Sequence, residues 1–259
     1  MKHIASVAGR ELRGLFLSPI AYGVLALFSV LAGLFFILNL AWFNDLVMRL
    51  QQFQAFDRLE EMNLNDDLIK EFYGSMSVVL LFLVPGVTMG LFAAEKTNGT
   101  QELLLTSPLT IWDIVLGKFL AGALFVALMA VIVGAYPLLL FAYGDPEVGK
   151  TLTGLLAVLL VGWTYVAIGA FASSLTRSQV VAFLVSFVLL LSLLLLPAVS
   201  DLGVAVGGGA DLLRWISTAS HFEEMTKGLV STSDLAYFAV MIGSFLLLTK
   251  AAVESVRWR

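Results

Sequence analysis

Residues 14–44 read GLFLSPIAYGVLALFSVLAGLFFILNLAWFN, without a single charged side chain. A helix needs about 20 apolar residues to cross about 30 Å of hydrocarbon, and this stretch exceeds that length. The pattern recurs at 72–94, 119–144, 151–176, 178–200 and 235–249. Lys250 extends the last window, because its ammonium can snorkel to the headgroups. Composition agrees. The chain has 259 residues, 59% of them hydrophobic and 13% charged. A soluble domain carries about 25% charged residues, so the excess of apolar side chains needs an apolar solvent. The sequence therefore predicts an all-α membrane protein with six transmembrane helices, at 19–41, 74–94, 111–143, 151–173, 180–199 and 234–252.

The first span is too long for the apolar region of a cleaved signal peptide, and no small-residue cleavage site follows it. It reads as a retained helix. Ahead of it, residues 1–17 form an amphipathic pattern. Ile4, Val7, Ala8, Glu11, Leu12, Leu15 and Phe16 share one side, and Lys2, His3, Ser6, Arg10 and Arg13 the other. That is the pattern of a helix lying in the membrane interface. Ser18-Pro19 then offers an N-cap followed by proline at the first helical position.

Between the spans, residues 42–73 read as a polar, acidic connection with short amphipathic stretches. Leu46, Leu50 and Phe53 share one face, and Leu68, Ile69 and Phe72 another. Pro85 predicts a kink in the second span. Residues 200–233 are glycine-rich and then amphipathic. Basic residues set the orientation. With a cytoplasmic N-terminus, Lys2, Arg10, Arg13, Lys96, Lys118, Arg177, Lys250, Arg257 and Arg259 fall inside. Arg49, Arg58, Lys70, Lys150, Arg214 and Lys227 fall outside, spread over longer loops. Both termini are therefore expected in the cytoplasm.

Several function classes lose support. There is no cysteine, which removes disulfides, thiolate metal sites and thiol nucleophiles. A net charge of −4 gives no sign of nucleic-acid binding. No span carries an ionisable residue at its centre, as ion-coupled pumps usually require. Neither the Gly-x-Ser-x-Gly nor the His-Glu-x-x-His pattern occurs. Residues 144–151, GDPEVGKT, match the phosphate-loop pattern. A phosphate loop follows a buried strand and opens a soluble helix, whereas this match joins two spans on the expected outer face. Asp145 and Glu147 would also repel phosphate. The match reads as coincidence, an interfacial turn with a lysine.

The chain thus shows no catalytic centre and no energy source, which directs attention to residues 95–108, EKTNGTQELLLTSP. Asn98-Gly99 signals a turn. Asn98 and Gln101 have the spacing of an N-cap and its N3 partner, and Thr110 and Asp113 form a second candidate capping box. A short surface helix through about Leu105 follows, ended by Ser107-Pro108. On local physics alone, a short helical connecting loop is an equal alternative.

This stretch resembles the motif after the second span of type-2 ABC exporter permeases. The residues that carry the resemblance are Glu95, Lys96, Gly99, Thr100, Glu102, Leu103, Leu104 and Pro108, with Val115-Leu116-Gly117-Lys118 following. Glu11-Leu12 through Phe16, Ser18-Pro19-Ile20-Ala21-Tyr22, His221-Phe222 to Gly228, Asp234-Leu235 and Tyr237-Phe238 are similar to its gliding-motility-associated branch, related to nitrous-oxide-reductase maturation permeases. The resemblance covers nearly the whole chain. It implies a single permease domain over 1–259, in a bacterial inner membrane, that is not itself an enzyme. It implies pairing with a second permease copy or homologue and with two cytoplasmic ATPase subunits. ATP and magnesium would be bound by those ATPases, and no cofactor by this chain. The segment 95–108 would be the coupling helix. Glu102 and Lys96 would make polar contacts to the ATPase, and Leu103 to Leu105 would pack or anchor. Residues 204–229 would form an outer re-entrant hairpin turning at Gly207-Gly208-Gly209; a flexible outer loop with an amphipathic helix is the plainer alternative.

Gly86 and Gly90 form Gly-x-x-x-Gly, which lets helices approach closely, within one subunit or between two. Gly169 and Ser173 make a weaker small-residue pair. His221 with Glu223 and Glu224, and the acidic run Asp57, Glu60, Glu61, Asp66 and Asp67, read as solvated faces rather than metal sites. Spans without charge favour a lipid-like or amphipathic cargo. Rival readings are a membrane anchor passing ATPase motion to a periplasmic or accessory partner, a passive channel, and an ATP-binding enzyme through residues 144–151.

Overall fold

The structure, a computed structural model, describes residues 2–100, 109–201 and 215–256. In chain order it contains α1 (Lys2–Leu17), α2 (Pro19–Gln52), α3 (Phe56–Glu61), a π-helical turn (Asn65–Ile69), α4 (Lys70–Thr88) and α5 (Gly90–Thr97). Then follow α6 (Ile111–Leu140), α7 (Val148–Leu175), α8 (Gln179–Asp201), α9 (Thr218–Thr226) and α10 (Thr232–Val256). No strand occurs among the described residues. Six helical units are long and apolar enough to span a membrane: α2, the run Asn65–Thr97, α6, α7, α8 and α10.

The helix ends follow local chemistry. Ser18 Oγ accepts the amide of Ile20 at 3.3 Å, and Pro19 opens α2. Thr110 and Asp113 close both bonds of a capping box at the start of α6. Asn98 is the C-cap of α5, and its amide bonds to Ala94 O. It closes α5 there; Gln101, its expected N3 partner, lies outside the described residues. Gly99 takes φ +70°, the left-handed conformation that glycine adopts cheaply after a helix.

The stretch 42–52 is not a polar connection, as the sequence suggested, but a continuation of α2. The change in hydropathy after Ala41 does not end the helix. No glycine or proline interrupts it, and Asp45 and Arg49 form an i,i+4 ion pair at 2.8 Å. It stops at a turn where Gln54 has φ 55°. At 1.5 Å per residue α2 is about 51 Å long, so it projects roughly 20 Å beyond a hydrocarbon core of about 30 Å.

α7 is the central helix. It packs against α4, α6, α8, α9 and α10, while α2, α8 and α10 turn most of their surface outward. Small residues make this possible, because helices in lipid associate by close van der Waals contact. A Cβ on Gly154 would lie 2.6 Å from Tyr73, and one on Gly169 would lie 2.7 Å from Thr88 Cβ. Facing α7, a Cβ on Gly122 would lie 2.7 Å from Val166. Gly86 meets nothing within 4 Å, and Gly90 meets only Ala94 of its own helix. Among the described residues nothing packs tightly against the Gly-x-x-x-Gly face, which borders a cavity beside α1 and α2, whereas Gly169 and Ser173 are closely packed.

An alanine at Gly169 should destabilise the protein by about 1–3 kcal/mol through overpacking. The same change at Gly86 should be nearly neutral or slightly stabilising. Thermal unfolding of the purified protein in detergent checks the contrast, and Thr88→Ala should recover much of the Gly169→Ala loss.

Candidate functional site

The second span is two helices. Pro85 has no amide to donate and crowds the preceding turn, and the run breaks at Met89 between α4 and α5. Ser173 of α7 takes over the exposed backbone groups. Its hydroxyl accepts the amides of Phe92 and Ala93 at 3.0 and 3.1 Å and donates to Met89 O at 2.7 Å. Thr88 Oγ1 donates to Val84 O at 2.9 Å on the other side of the break. α5 is thus a separate helical turn seated on α7.

Three consecutive residues at the end of α5 tie it to different parts of the protein. Thr97 Oγ1 donates to the carbonyl of Arg177. Lys96 Nζ donates to the carbonyl of Ser174, so the ammonium turns inward at the end of α7. Glu95 Oε1 accepts from Lys118 Nζ at 2.8 Å. Lys118 is 1% exposed and also donates to Glu11 Oε1 of α1 at 3.1 Å. Arg10 adds a bond to Glu11 at 2.9 Å and approaches Glu95 at 3.7 Å. The ring of Phe92 lies 5.4 Å from the ammonium.

α1 approaches α6 closely enough for this network because Gly117 has no side chain. A Cβ there would lie 2.6 Å from Val7 Cβ and 3.1 Å from Ile4 O. Val7 and Ala8 are buried in the contact. A buried ammonium survives only when paired and hydrogen-bonded. Here two carboxylates from two elements, α1 and α5, supply the pairing. The result is a knot of α1, α5, α6 and the end of α7 directly preceding residues 98–100.

Of the expected coupling residues, Glu95 and Lys96 are internal ties, and Gly99 and Thr100 form the exposed turn that follows. Glu102, Leu103, Leu104 and Pro108 lie outside the described residues. Sequence spacing singled out neither Glu11 nor Ser173 for these roles. Beside the knot is a cavity of about 500 Å³, lined mostly by apolar groups including Ile20, Val24, Val87, Leu91 and Phe125, with Arg10 and Glu11 among its polar groups.

The opposite end is also tied, and differently from the sequence reading. Residues 144–147 form a turn leading into the first turn of α7, held by Asn65, whose Oδ1 accepts Glu147 N at 2.7 Å and whose Nδ2 donates to Glu147 O at 3.1 Å. Lys150 pairs with Asp66 at 3.0 Å and Glu147 at 3.5 Å, and Thr151 Oγ1 donates to Glu147 O. The lysine and hydroxyl that a phosphate would need are committed elsewhere. Asp66 is therefore an ion-pair partner and Asp67 a cap for Asn63 N, not parts of a freely solvated face. His221, expected to be solvated, is buried and bonded to Asp234. Glu223 pairs instead with Lys70 and Lys227. No cluster able to hold a metal occurs among the described residues. The hairpin turn expected at Gly207-Gly208-Gly209 lies outside them.

Comparison with known proteins gives the class. The family described as ABC-2 family transporter protein matches residues 5–254. The chain is similar to the probable multidrug ABC transporter permease YbhR of Escherichia coli strain K12, at 31% identity over 135 residues. The same figures hold for YbhR of Escherichia coli O157:H7. Each match covers 52% of this chain and 36% of the relative, so the chain spans about a third of the relatives' length. The chain belongs to the ABC-2 family of transporter proteins. With six apolar helices, it is a multi-pass membrane component of that class.

Lys118→Met should lower stability by about 3 kcal/mol, since it leaves two carboxylates facing each other beside an apolar surface. Replacing all three ionic groups, as Glu11→Gln, Glu95→Gln and Lys118→Met together, should cost less than Lys118→Met alone. Unfolding midpoints in detergent at fixed protein and salt concentration measure both.

Proposed function

We propose that this chain is the permease subunit of an ATP-driven exporter in a bacterial inner membrane. It lines a path with a second permease and takes its force from cytoplasmic ATPase subunits. The observation that carries this reading is the placement of α5: Glu95 pairs with Lys118 of α6, which also binds Glu11 of α1, and Ser173 and Lys96 tie α5 to α7, just before the segment 98–108. A push on that segment would reach three parts of the bundle at once. Ser173 would pass it to the central helix, Lys118 to α6, and Glu11 to the N-terminal helix.

In this reading Glu95 and Lys96 position the segment, and the ATPase is met by Gly99, Thr100 and residues 101–108, including Glu102, Leu103, Leu104 and Pro108. Nucleotide and magnesium are bound by the ATPase. The apolar cavity beside α1 supports a lipid-like or amphipathic cargo. A second reading, an anchor that passes motion to an extracytoplasmic partner without moving cargo, is favoured by the projection of α2 beyond the membrane.

The test uses the whole complex reconstituted in vesicles. Glu102→Lys should either detach the ATPase on purification or leave ATP hydrolysis running with transport reduced about tenfold or more, a loss of about 1.4 kcal/mol in coupling. Normal assembly together with full coupling in that variant would contradict the proposal.

A further inference from the structure

The cavity beside the knot has two unlike parts. Its wall is mostly apolar, made by Leu15 of α1, Ile20 and Val24 of α2, Val87 and Leu91 on either side of the break, and Phe125 of α6. Gly86 and Gly90 stand in the same wall, and their lack of side chains leaves the space before them open. The polar lining groups are Arg10, Glu11, Ser18 and Gln179, which belong to α1 and to the starts of α2 and α8. From Ser18 to Val24 the wall runs about 9 Å along the span. The volume of about 500 Å³ falls within the range of small-ligand sites, about 300–1,000 Å³. Water finds few hydrogen-bond partners on such a wall, and an empty space forfeits dispersion contacts. A hydrocarbon chain suits it.

The outer surface of α1 carries a second, shallow hollow, lined by Ala5, Ser6, Gly9, Arg10, Arg13 and Gly14 among others. Arg10 and Gly14 line both hollows, so the two join across α1 at that point. A Cβ on Gly14 would meet nothing within 4 Å, so the join is open. Arg10 and Arg13 are both exposed. Arg10 leans on Glu11 and Glu95, whereas Arg13 has no ion-pair partner among the described residues. Lys118 shares the same two carboxylates. The three cations therefore exceed the two carboxylates by one positive charge, and no acidic side chain among the described residues lines the outer hollow.

An anionic head joined to an apolar chain is the chemistry of a membrane phospholipid. We propose that this chain binds one anionic phospholipid from the leaflet in which α1 lies. Its phosphate rests on α1 against Arg13 and Arg10, and one acyl chain passes Gly14 into the cavity, against the break in the second span. The planar guanidinium fork matches phosphate oxygens in pairs. A zwitterionic lipid fills the apolar wall equally well but gains less from the excess positive charge, so the site selects heads rather than chains. The bound chain lies against α1, α2 and α5 together and fills the space that Gly86 and Gly90 leave open. This goes beyond the proposed function, since binding here is independent of whether any lipid is moved.

The test uses the full chain alone, reconstituted in phosphatidylcholine vesicles with a minor share of phosphatidylglycerol carrying a diazirine in one acyl chain. After illumination, mass spectrometry compares labelling of residues 87–91 with labelling of Val188, which is exposed on α8 and reports chance contact with lipid. This ratio should be about fivefold higher with the phosphatidylglycerol probe than with a phosphatidylcholine probe bearing the same chain. Arg13→Gln removes the excess charge and should bring the two probes together. Gly14→Phe should lower the ratio for both probes by closing the join. Gly23→Phe, at an exposed glycine of α2 with equal room, should change neither. Equal ratios for the two probes in the unaltered chain would overturn the proposal whether or not any variant folds, and so would a selective ratio that Arg13→Gln leaves unchanged. Transport plays no part in the readout, so failure of the site would leave the permease reading standing.

Discussion

A single ammonium, Lys118 Nζ, joins three distant parts of the chain at one end of the bundle. It is buried on α6 and requires Glu11 from α1 and Glu95 from α5 as ion-pair partners there. That requirement fixes the position of the N-terminal helix, which could otherwise lie anywhere in the interface. It also fixes the direction in which α5 delivers residues 98–100. Gly117, beside Lys118 in sequence, permits the close approach that the ion pairs then lock. Apolar packing alone would supply neither constraint, because lipid solvates an apolar helix face as well as another helix does.

The second constraint is the break in the second span. Pro85 weakens the helix, but Ser173 decides how the break is used. By taking two amides and one carbonyl of the broken turn, it makes the central helix part of the backbone bonding of α5. α5 can move only with α7 or by giving up those bonds. Together with the Lys118 network, this gives the segment after α5 a mechanical connection to most of the bundle. The far end is organised by other means, with Asn65, Lys150 and the His221–Asp234 pair fastening turns and α9 to the spans.

Much of this was legible in the sequence, for physical reasons. Six uncharged windows can only be membrane helices, and Ser18-Pro19 and Thr110 with Asp113 announce their helix starts through local bonds. What local patterns could not give were partners far apart in the chain. Glu11 lies 107 residues from Lys118, and Ser173 lies 81 residues from Phe92. His221 looked solvated because Glu223 and Glu224 are next to it, whereas its true partner is 13 residues further on. The length of α2 was missed because hydropathy marks the edge of the membrane and not the end of a helix. Of the residues expected to couple to an ATPase, Lys96 turns inward to Ser174 and not toward a partner.

Everything in the functional account requires the turn after α5 to face the cytosol. The most direct measurement is the sidedness of a single cysteine at Thr100, introduced into this cysteine-free chain in intact cells. A membrane-impermeant thiol reagent should leave it unlabelled until the cytoplasmic side is opened, and then label it fully. Labelling of intact cells from the outside would place the turn beyond the reach of any cytosolic ATPase and contradict the account.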